Sequence, residues 1–122
     1  MTEAVLEGVV VEGRRLGRQL GFPTANIAVA RGCTITNGVY RSEVEVEGYE
    51  TPFLAMSNLG CNPSVGGSER RLESHLFDFQ GELYGRRIRV HLLERLRDEQ
   101  HFASVEALQA QLEKDKQTIL NK

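Results

Sequence analysis

Three glycines recur every four residues near the start of the chain, at Gly13, Gly17 and Gly21, with Arg14, Arg15 and Arg18 between them. Glycine lets backbone N–H groups approach an anion closely, and arginine neutralises its charge, so this spacing favours a phosphate-binding loop. A solvated surface loop is the alternative, and these residues alone leave both open. Neither G-x-x-x-x-G-K-[ST] nor G-x-G-x-x-G is present, so the spacing by itself indicates no particular nucleotide.

The stretch PTAN, residues 23–26, follows the glycines directly. Pro23 restricts one backbone angle, and in an extended segment Thr24 and Asn26 place their side-chain oxygens on the same side. A hydroxyl and an amide oxygen suit a hard cation such as Mg²⁺, which takes its remaining ligands from water and phosphate. Turn hydrogen bonds from the same side chains are the alternative. The local pattern does not choose between them.

A carboxylate and two histidines form a further candidate set. Glu73 alternates with His75, Phe77 and Phe79 on one face of a predicted strand, where it is either a solvated side chain or a general base. His75 and His91 are predicted on neighbouring strands, but no cysteine or carboxylate joins them at metal-ligand spacing. We therefore expect two histidines with separate hydrogen bonds rather than a metal site.

The composition limits the class of protein. The chain has 122 residues, which predicts one domain over residues 1–122, and 40% hydrophobic with 26% charged residues is typical of a globular fold. A net charge of -2 argues against a general nucleic-acid binder. No apolar run approaches the ~18 residues of a membrane span, and no signal-peptide pattern is present, so we expect a cytoplasmic protein. Cys33 and Cys61 are too few and too isolated for a disulfide framework or a zinc site, and we expect small buried or half-buried thiols.

Short strands and one helix must position these groups. Apolar and alternating patterns predict five strands at 4–12, 38–48, 52–58, 71–79 and 86–94, with a loop at 59–67. The sequence QGELYG predicts a hairpin between the last two strands. Ser104 is a candidate N-cap, Glu106 suits the first helical turn, and the apolar stripe consists of Val105, Leu108, Leu112 and Ile119. Short strands followed by one helix favour a small antiparallel barrel.

Four motifs identify a resemblance. GFPTANI at 21–27, NGVY at 37–40, SNLGCNP at 57–63 and LESHLFDFQGELYGRRIRVHLLERLRDEQHF at 72–102 occur in the order seen in riboflavin kinases. The chain resembles an ATP-dependent riboflavin kinase, or the kinase domain of a bifunctional FAD-synthesis enzyme, over nearly its whole length. The resemblance implies a six-stranded antiparallel closed barrel of Greek-key type with a C-terminal helix. It also implies transfer of the ATP γ-phosphoryl group to the ribityl 5′-hydroxyl of riboflavin, giving FMN and ADP.

The resemblance further implies residue roles. Glu73 matches the catalytic carboxylate, and Thr24 and Asn26 match the ligands of Mg²⁺ bound to the nucleotide. Contacts to ATP are implied for Gly13, Gly17, Arg18, Thr24, Leu76, Asp78 and Tyr84. Contacts to the flavin are implied for Arg97, Gln100 and Val105. The expected partners are the small molecules riboflavin and ATP, without nucleic acid or membrane, and we expect a monomer.

Two departures from the family pattern keep alternatives open. Leu16 stands where many bacterial relatives carry arginine, and CNPSV at 61–65 replaces the more usual arginine-proline-threonine loop. A non-catalytic flavin- or nucleotide-binding module on the same barrel is one alternative. The excised kinase half of a bifunctional riboflavin kinase/FMN adenylyltransferase is the other.

Overall fold

A computed structural model describes residues 4–11, 24–30, 32–61, 70–99 and 104–121. These residues form six strands and one helix, which in chain order are β1 Ala4–Val9, β2 Thr24–Val29, β3 Gly38–Val46, β4 Phe53–Cys61, β5 Arg70–Leu76, β6 Arg87–Arg97 and α1 Val105–Leu120. No helix within these ranges is long and apolar enough to cross a membrane.

The six strands form a single antiparallel sheet in the spatial order β1-β6-β3-β4-β5-β2. Strands β3, β4 and β5 follow one another as a meander, and β6 returns to lie beside β3. This arrangement of a returning fourth strand is the Greek-key pattern. The predicted six-stranded Greek-key sheet is therefore confirmed.

The sheet closes into a nearly complete barrel where β1 meets β2. The chain beyond β1 forms a single antiparallel bridge to β2, in which the Val11 amide donates to the Asn26 carbonyl at 2.8 Å. Gly8 lies next to Ile27 of β2, so that a Cβ on Gly8 would be in ordinary van der Waals contact with the Ile27 side chain at 3.5 Å. Closure of this kind leaves little unpaired strand edge for intermolecular pairing.

Alternating side chains fill the barrel interior. Val44, Val90 and Leu72 are fully buried there, each on a strand whose intervening residues face outward. Three buried serines continue the interior across neighbouring strands: Ser57 Oγ lies 2.7 Å from Ser42 Oγ and 2.7 Å from Ser74 Oγ. The interior is thus apolar apart from a short hydroxyl chain whose members satisfy one another, as buried polar groups require.

The helix α1 packs on the outside of the barrel. As predicted, Ser104 caps it, with its Oγ accepting from the Ala107 amide at 3.1 Å. Leu112 and Ile119 of the predicted stripe are buried, and they cluster with Val39 and Met56 on the outer face of the sheet and with Phe77, which directly follows β5. The helix therefore covers the part of the outer face around Val39 and Met56.

The predicted hairpin between β5 and β6 is wrong. Strand β5 pairs with β4 and β2, whereas β6 pairs with β1 and β3, so His75 and His91 are not on neighbouring strands. The ten residues between these strands, 77–86, are too many for a tight hairpin turn. They also bury Phe79 and Leu83 in the core, which draws the connection across the end of the barrel.

Strand β4 is longer than its sequence pattern predicts. Residues 59–61 were expected to begin a loop, but Leu59, Gly60 and Cys61 pair with residues 72, 71 and 70 of β5. Leu59 is fully buried in the interior. Cross-strand pairing and burial therefore override the local turn signal of glycine.

Candidate active site on the outer face of the barrel

Strand β2 presents the two polar residues of PTAN on the outer face of the barrel. Ala25 and Ile27 point into the core, so Thr24 and Asn26, which alternate with them, point outward. Asn26 is nevertheless only 7% exposed. The prediction that both side chains lie on the same side of an extended segment is confirmed.

The register between β2 and β5 places these residues opposite the predicted catalytic carboxylate. Asn26 is paired with Glu73, and Thr24 is paired with His75. Glu73 lies outside the barrel because its neighbours Leu72 and Ser74 are buried inside, and its side chain is 32% exposed. Directly opposed residues have Cβ atoms about 5 Å apart, so the three sequence-predicted residues Thr24, Asn26 and Glu73 come together on one surface.

The same register extends across five strands. Glu73 is paired with Asn58 on β4, Asn58 with Val39 on β3, and Val39 with Arg97 on β6. We call Asn26, Glu73, Asn58, Val39 and Arg97 the transverse row. Its two ends carry the residues expected from the sequence to face phosphate and flavin, and Glu73 lies between them.

His75 contacts both Thr24 and Glu73. Its Nδ1 lies 3.2 Å from Thr24 Oγ1, and its Nε2 lies 3.5 Å from Glu73 Oε1. The ring is 5% exposed, so its orientation is fixed by packing. A neutral imidazole with its proton on Nε2 would donate toward Glu73 and accept from the Thr24 hydroxyl, which leaves lone pairs of Oγ1 facing outward.

Both ends of the glycine-rich segment are anchored beside this surface. The described chain reaches Val11, which pairs with Asn26, and resumes at Thr24. The predicted phosphate-contacting residues Gly13, Gly17 and Arg18 lie outside the described residues. Their expected role stays a prediction, supported by the position of these two anchors.

The three residues after Glu73 that were predicted to contact ATP differ in how far they are buried. Leu76 ends β5 with its side chain fully buried in the barrel core, so only its main chain can contact a ligand. Asp78 is exposed and has a φ of 59°, a left-handed conformation that aspartate tolerates better than most residues. Tyr84 is 60% exposed, and its amide donates to Glu82 Oε1 at 3.1 Å.

Arg97, the predicted flavin contact on β6, is held by the helix. Its guanidinium donates to Asp115 Oδ2 at 2.7 Å and Oδ1 at 3.2 Å, and Gln111 also donates to Asp115 Oδ1 at 3.1 Å. Gln100 lies outside the described residues, and for Val105 the structure describes only the main chain at the start of α1. The ion pair fixes Arg97 at the end of the transverse row.

Sequence reasoning missed Asn58 and Asp115. Asn58 belongs to the motif SNLGCNP, but its spacing gives no chemical signal, because its neighbours in the row come from distant parts of the chain. Asp115 is only 5% exposed, and the other buried side chains of the helix are leucine and isoleucine. An acidic residue within the apolar stripe, one helical turn after Gln111, is the signal that could have found it.

Thr24 and Asn26 are suitable ligands for Mg²⁺. Both are neutral hard oxygen donors, Asn26 is largely shielded from solvent, and the Glu73 carboxylate lies opposite it. Mg²⁺ usually keeps several water ligands and takes further ligands from phosphate, so two protein oxygens are sufficient. The donor set therefore fits a nucleotide-bound magnesium ion.

The chain matches the family model described as Flavokinase: Riboflavin kinase over residues 2–122. It is 44% identical over 113 residues to the bifunctional riboflavin kinase/FMN adenylyltransferase of Escherichia coli (strain K12), covering 93% of this chain and 36% of that protein. It is 41% identical over 112 residues to the RNA-binding riboflavin kinase RibR of Bacillus subtilis (strain 168), covering 91% of this chain and 47% of that protein. The chain thus spans less than half the length of either relative.

Solved structures share the architecture. A chain described as a macrolide-efflux protein from Streptococcus pneumoniae is 36% identical with a TM-score of 0.82, covering 97% of this chain and 38% of that one. A riboflavin kinase from Trypanosoma brucei has 24% identity and a TM-score of 0.68, covering 99% of this chain and 80% of that one. The second likeness concerns the fold alone, a six-stranded antiparallel barrel with a C-terminal helix.

Proposed function

Since the chain belongs to the riboflavin kinase family, we propose that it transfers the γ-phosphoryl group of ATP to the ribityl 5′-hydroxyl of riboflavin, giving FMN and ADP. One observation carries the proposal: Asn26 and Glu73 are directly opposed on the outer face of β2 and β5. This juxtaposition places a candidate cation ligand next to a candidate base, an arrangement that a module for binding alone does not require.

The chemistry of phosphoryl transfer explains why so few groups are needed. The transition state is loose, so the protein chiefly positions the reactants and neutralises charge. We assign Glu73 the role of orienting the attacking hydroxyl and accepting its proton, for which a carboxylate of ordinary basicity is sufficient. His75, in contact with Glu73 and Thr24, keeps both side chains in place.

Thr24 and Asn26 would hold magnesium together with phosphate oxygens of ATP. When bound, the ion would neutralise negative charge on the phosphates. The chain's own contribution is to keep the two oxygens on one face of a hydrogen-bonded strand, which limits their movement. The Thr24 hydroxyl is further restricted by its contact with His75 Nδ1.

The two substrates would occupy opposite sides of Glu73. ATP would lie on the β2 side, between the anchors of the glycine-rich segment that carries Gly13, Gly17 and Arg18, with Asp78 and Tyr84 beyond the end of β5. Riboflavin would lie toward β6, with the flavin near Arg97, Gln100 and Val105. The transverse row orders these groups, with the reacting hydroxyl at Glu73, and α1 covers the row at Val39, so the flavin would lie beside the helix.

The proposal is limited to the kinase step, because the alignments cover about a third to a half of the relatives' own length. We further propose a cytoplasmic monomer that acts on small molecules without nucleic acid, in line with the net charge of -2. One relative is named as an RNA-binding kinase. An RNA gel-shift assay at physiological salt should therefore show no retarded complex, and a salt-dependent shift would contradict this part.

The direct test is to incubate the protein with riboflavin, ATP and Mg²⁺ and to quantify FMN and ADP by chromatography. Equal amounts of the two products are expected. Binding of flavin without release of ADP would instead support a non-catalytic module. Omission of Mg²⁺, or addition of a chelator, should abolish turnover.

The Glu73→Gln variant tests the proposed base. We expect turnover to fall by about 10² to 10⁴, or about 2.7 to 5.4 kcal/mol, with ATP binding close to normal. The Glu43→Gln variant is a matched control, because Glu43 is also a half-buried carboxylate facing outward from a strand, on β3. Turnover of the Glu73→Gln variant within about threefold of the parent would remove Glu73 from this role.

A further inference from the structure

The amide of Asn58 lies at the centre of the transverse row, between Glu73 and Val39. The residue is half-buried, but its Oδ1 is shielded from solvent and has no hydrogen-bond partner in the described part of the chain. Native proteins retain few such acceptors without a reason, because an unpaired buried oxygen is destabilising. Asn58 Oδ1 therefore lacks a donor among residues 4–11, 24–30, 32–61, 70–99 and 104–121.

The groups next to Asn58 are also hydrogen-bond acceptors. The Glu73 carboxylate lies beside it on β5. Two residues further along β4, Gly60 has no side chain, and the Glu99 carboxylate occupies the space that a Cβ on Gly60 would fill. This surface thus presents three acceptors, two of them charged. These acceptors complement a ligand that carries several hydroxyl donors.

The position of Asn58 relates it to one part of the substrate. Glu73 and Arg97 are three strand spacings apart, which is about 14 Å along the sheet. In the function proposed above, the reacting hydroxyl lies at Glu73 and the flavin lies toward Arg97. A chain that runs from Glu73 toward Arg97 would then pass β4, where Asn58 is the row residue, before α1 covers the row at Val39.

We propose that Asn58 Oδ1 accepts a hydrogen bond from a hydroxyl of the ribityl chain. Asn58 is then a substrate-binding residue that recognises the polyol part of riboflavin. This inference rests on the proposed function for the identity of the substrate. It adds a basis for specificity: the site distinguishes a hydroxylated chain from an apolar one at β4, one strand away from the reacting atom.

The test is the Asn58→Leu variant, which removes the acceptor while largely keeping the volume. Dissociation constants are measured without ATP, by quenching of flavin fluorescence, for riboflavin and for a flavin with a methyl group in place of the ribityl chain. We expect riboflavin binding to weaken about 3- to 10-fold and methyl-flavin binding to stay within twofold. The Gln109→Leu variant, on the exposed face of α1, should change neither.

Thermal stability provides a second measurement, in which Asn58→Leu should not weaken the protein although it weakens riboflavin binding. Because Oδ1 has no partner among the residues that the structure describes, Asn58→Leu should leave the Tm unchanged or raise it by up to about 4 °C. A structural role would instead lower the Tm. Unchanged riboflavin affinity, or equal weakening of both flavins, would overturn the inference. Should the leucine variant fail to fold, Asn58→Ala gives the same comparison between the two flavins.

The two proposals can fail separately. If the parent protein binds riboflavin through Asn58 but forms no FMN, the kinase assignment fails and the hydroxyl contact stands. If the parent protein forms FMN and Asn58→Leu binds riboflavin with unaltered affinity, the contact fails and the kinase assignment stands.

Discussion

Replacing His75 separates its two contacts and tests whether it positions the reacting groups. An asparagine side chain can place its amide oxygen near the position of imidazole Nδ1, where it accepts from the Thr24 hydroxyl, so His75→Asn preserves a contact to Thr24 and loses the one to Glu73. A glutamine side chain reaches the position of Nε2, so His75→Gln preserves the contact to Glu73 and loses the one to Thr24. The two variants therefore remove the 3.5 Å and the 3.2 Å contacts one at a time.

The magnitudes follow from what each contact holds. Loss of orientation at a reacting group by about 1 Å can cost about 10²-fold in rate, so His75→Asn should lower kcat about 10- to 100-fold. A neutral buried hydrogen bond contributes about 0.5 to 1.5 kcal/mol, so His75→Gln should raise the Mg²⁺ concentration needed for half-maximal activity about 3- to 10-fold. Each variant should leave the other parameter within about threefold.

The assay is steady-state formation of FMN with Mg²⁺ varied at saturating ATP and riboflavin. Because His75 is 5% exposed, both replacements should also lower the Tm, and the rates must be measured well below it. His75→Leu removes both contacts. If its loss of activity equals the product of the losses in His75→Asn and His75→Gln, the two contacts act independently. If His75→Asn and His75→Gln lower kcat equally and raise the Mg²⁺ concentration for half-maximal activity equally, His75 acts through packing only. That result would refute the reasoning.

Two further predictions concern stability. Asp115→Ala should lower the free energy of unfolding in urea by about 1.5 to 3 kcal/mol, because it leaves the half-buried Arg97 guanidinium without its carboxylate partner, and a loss below about 0.5 kcal/mol would contradict this. The hydrogen bond from His91 lowers the pKa of the Glu45 carboxyl below 4.5, so this pair stabilises the fold above that pH and loses its effect as pH falls through the lower folded-state pKa. The Tm difference between the parent and Glu45→Gln should thus be present above pH 4.5 and should close as the pH falls toward about 3, whereas a difference that does not change with pH would contradict this linkage.

Some of the architecture follows from local signals that act within a few residues. Alternation along β3 and β6 reports directly which side chains face a core, since successive residues of a strand point to opposite sides. The serine cap and the apolar spacing of α1 are likewise local, and Ser104 and Leu112 occupy the predicted places. The pairing of β5 with β4 and β2 is a different matter, and the prediction of a β5–β6 hairpin failed there.

For the candidate site, too, the sequence predicts some features and only the tertiary structure decides the others. The residue types at positions 24, 26 and 73, and the order of the motifs that contain them, are sufficient to predict the family and the reaction class. Only the tertiary structure opposes Asn26 to Glu73, because strand register depends on pairing between segments 47 residues apart. It alone brings Asn58 into the same row and leaves its oxygen without a donor among the residues described. The residue types indicate the chemistry. Which of these residues become neighbours depends on strand pairing and burial between distant segments, and a local sequence pattern carries no information about either.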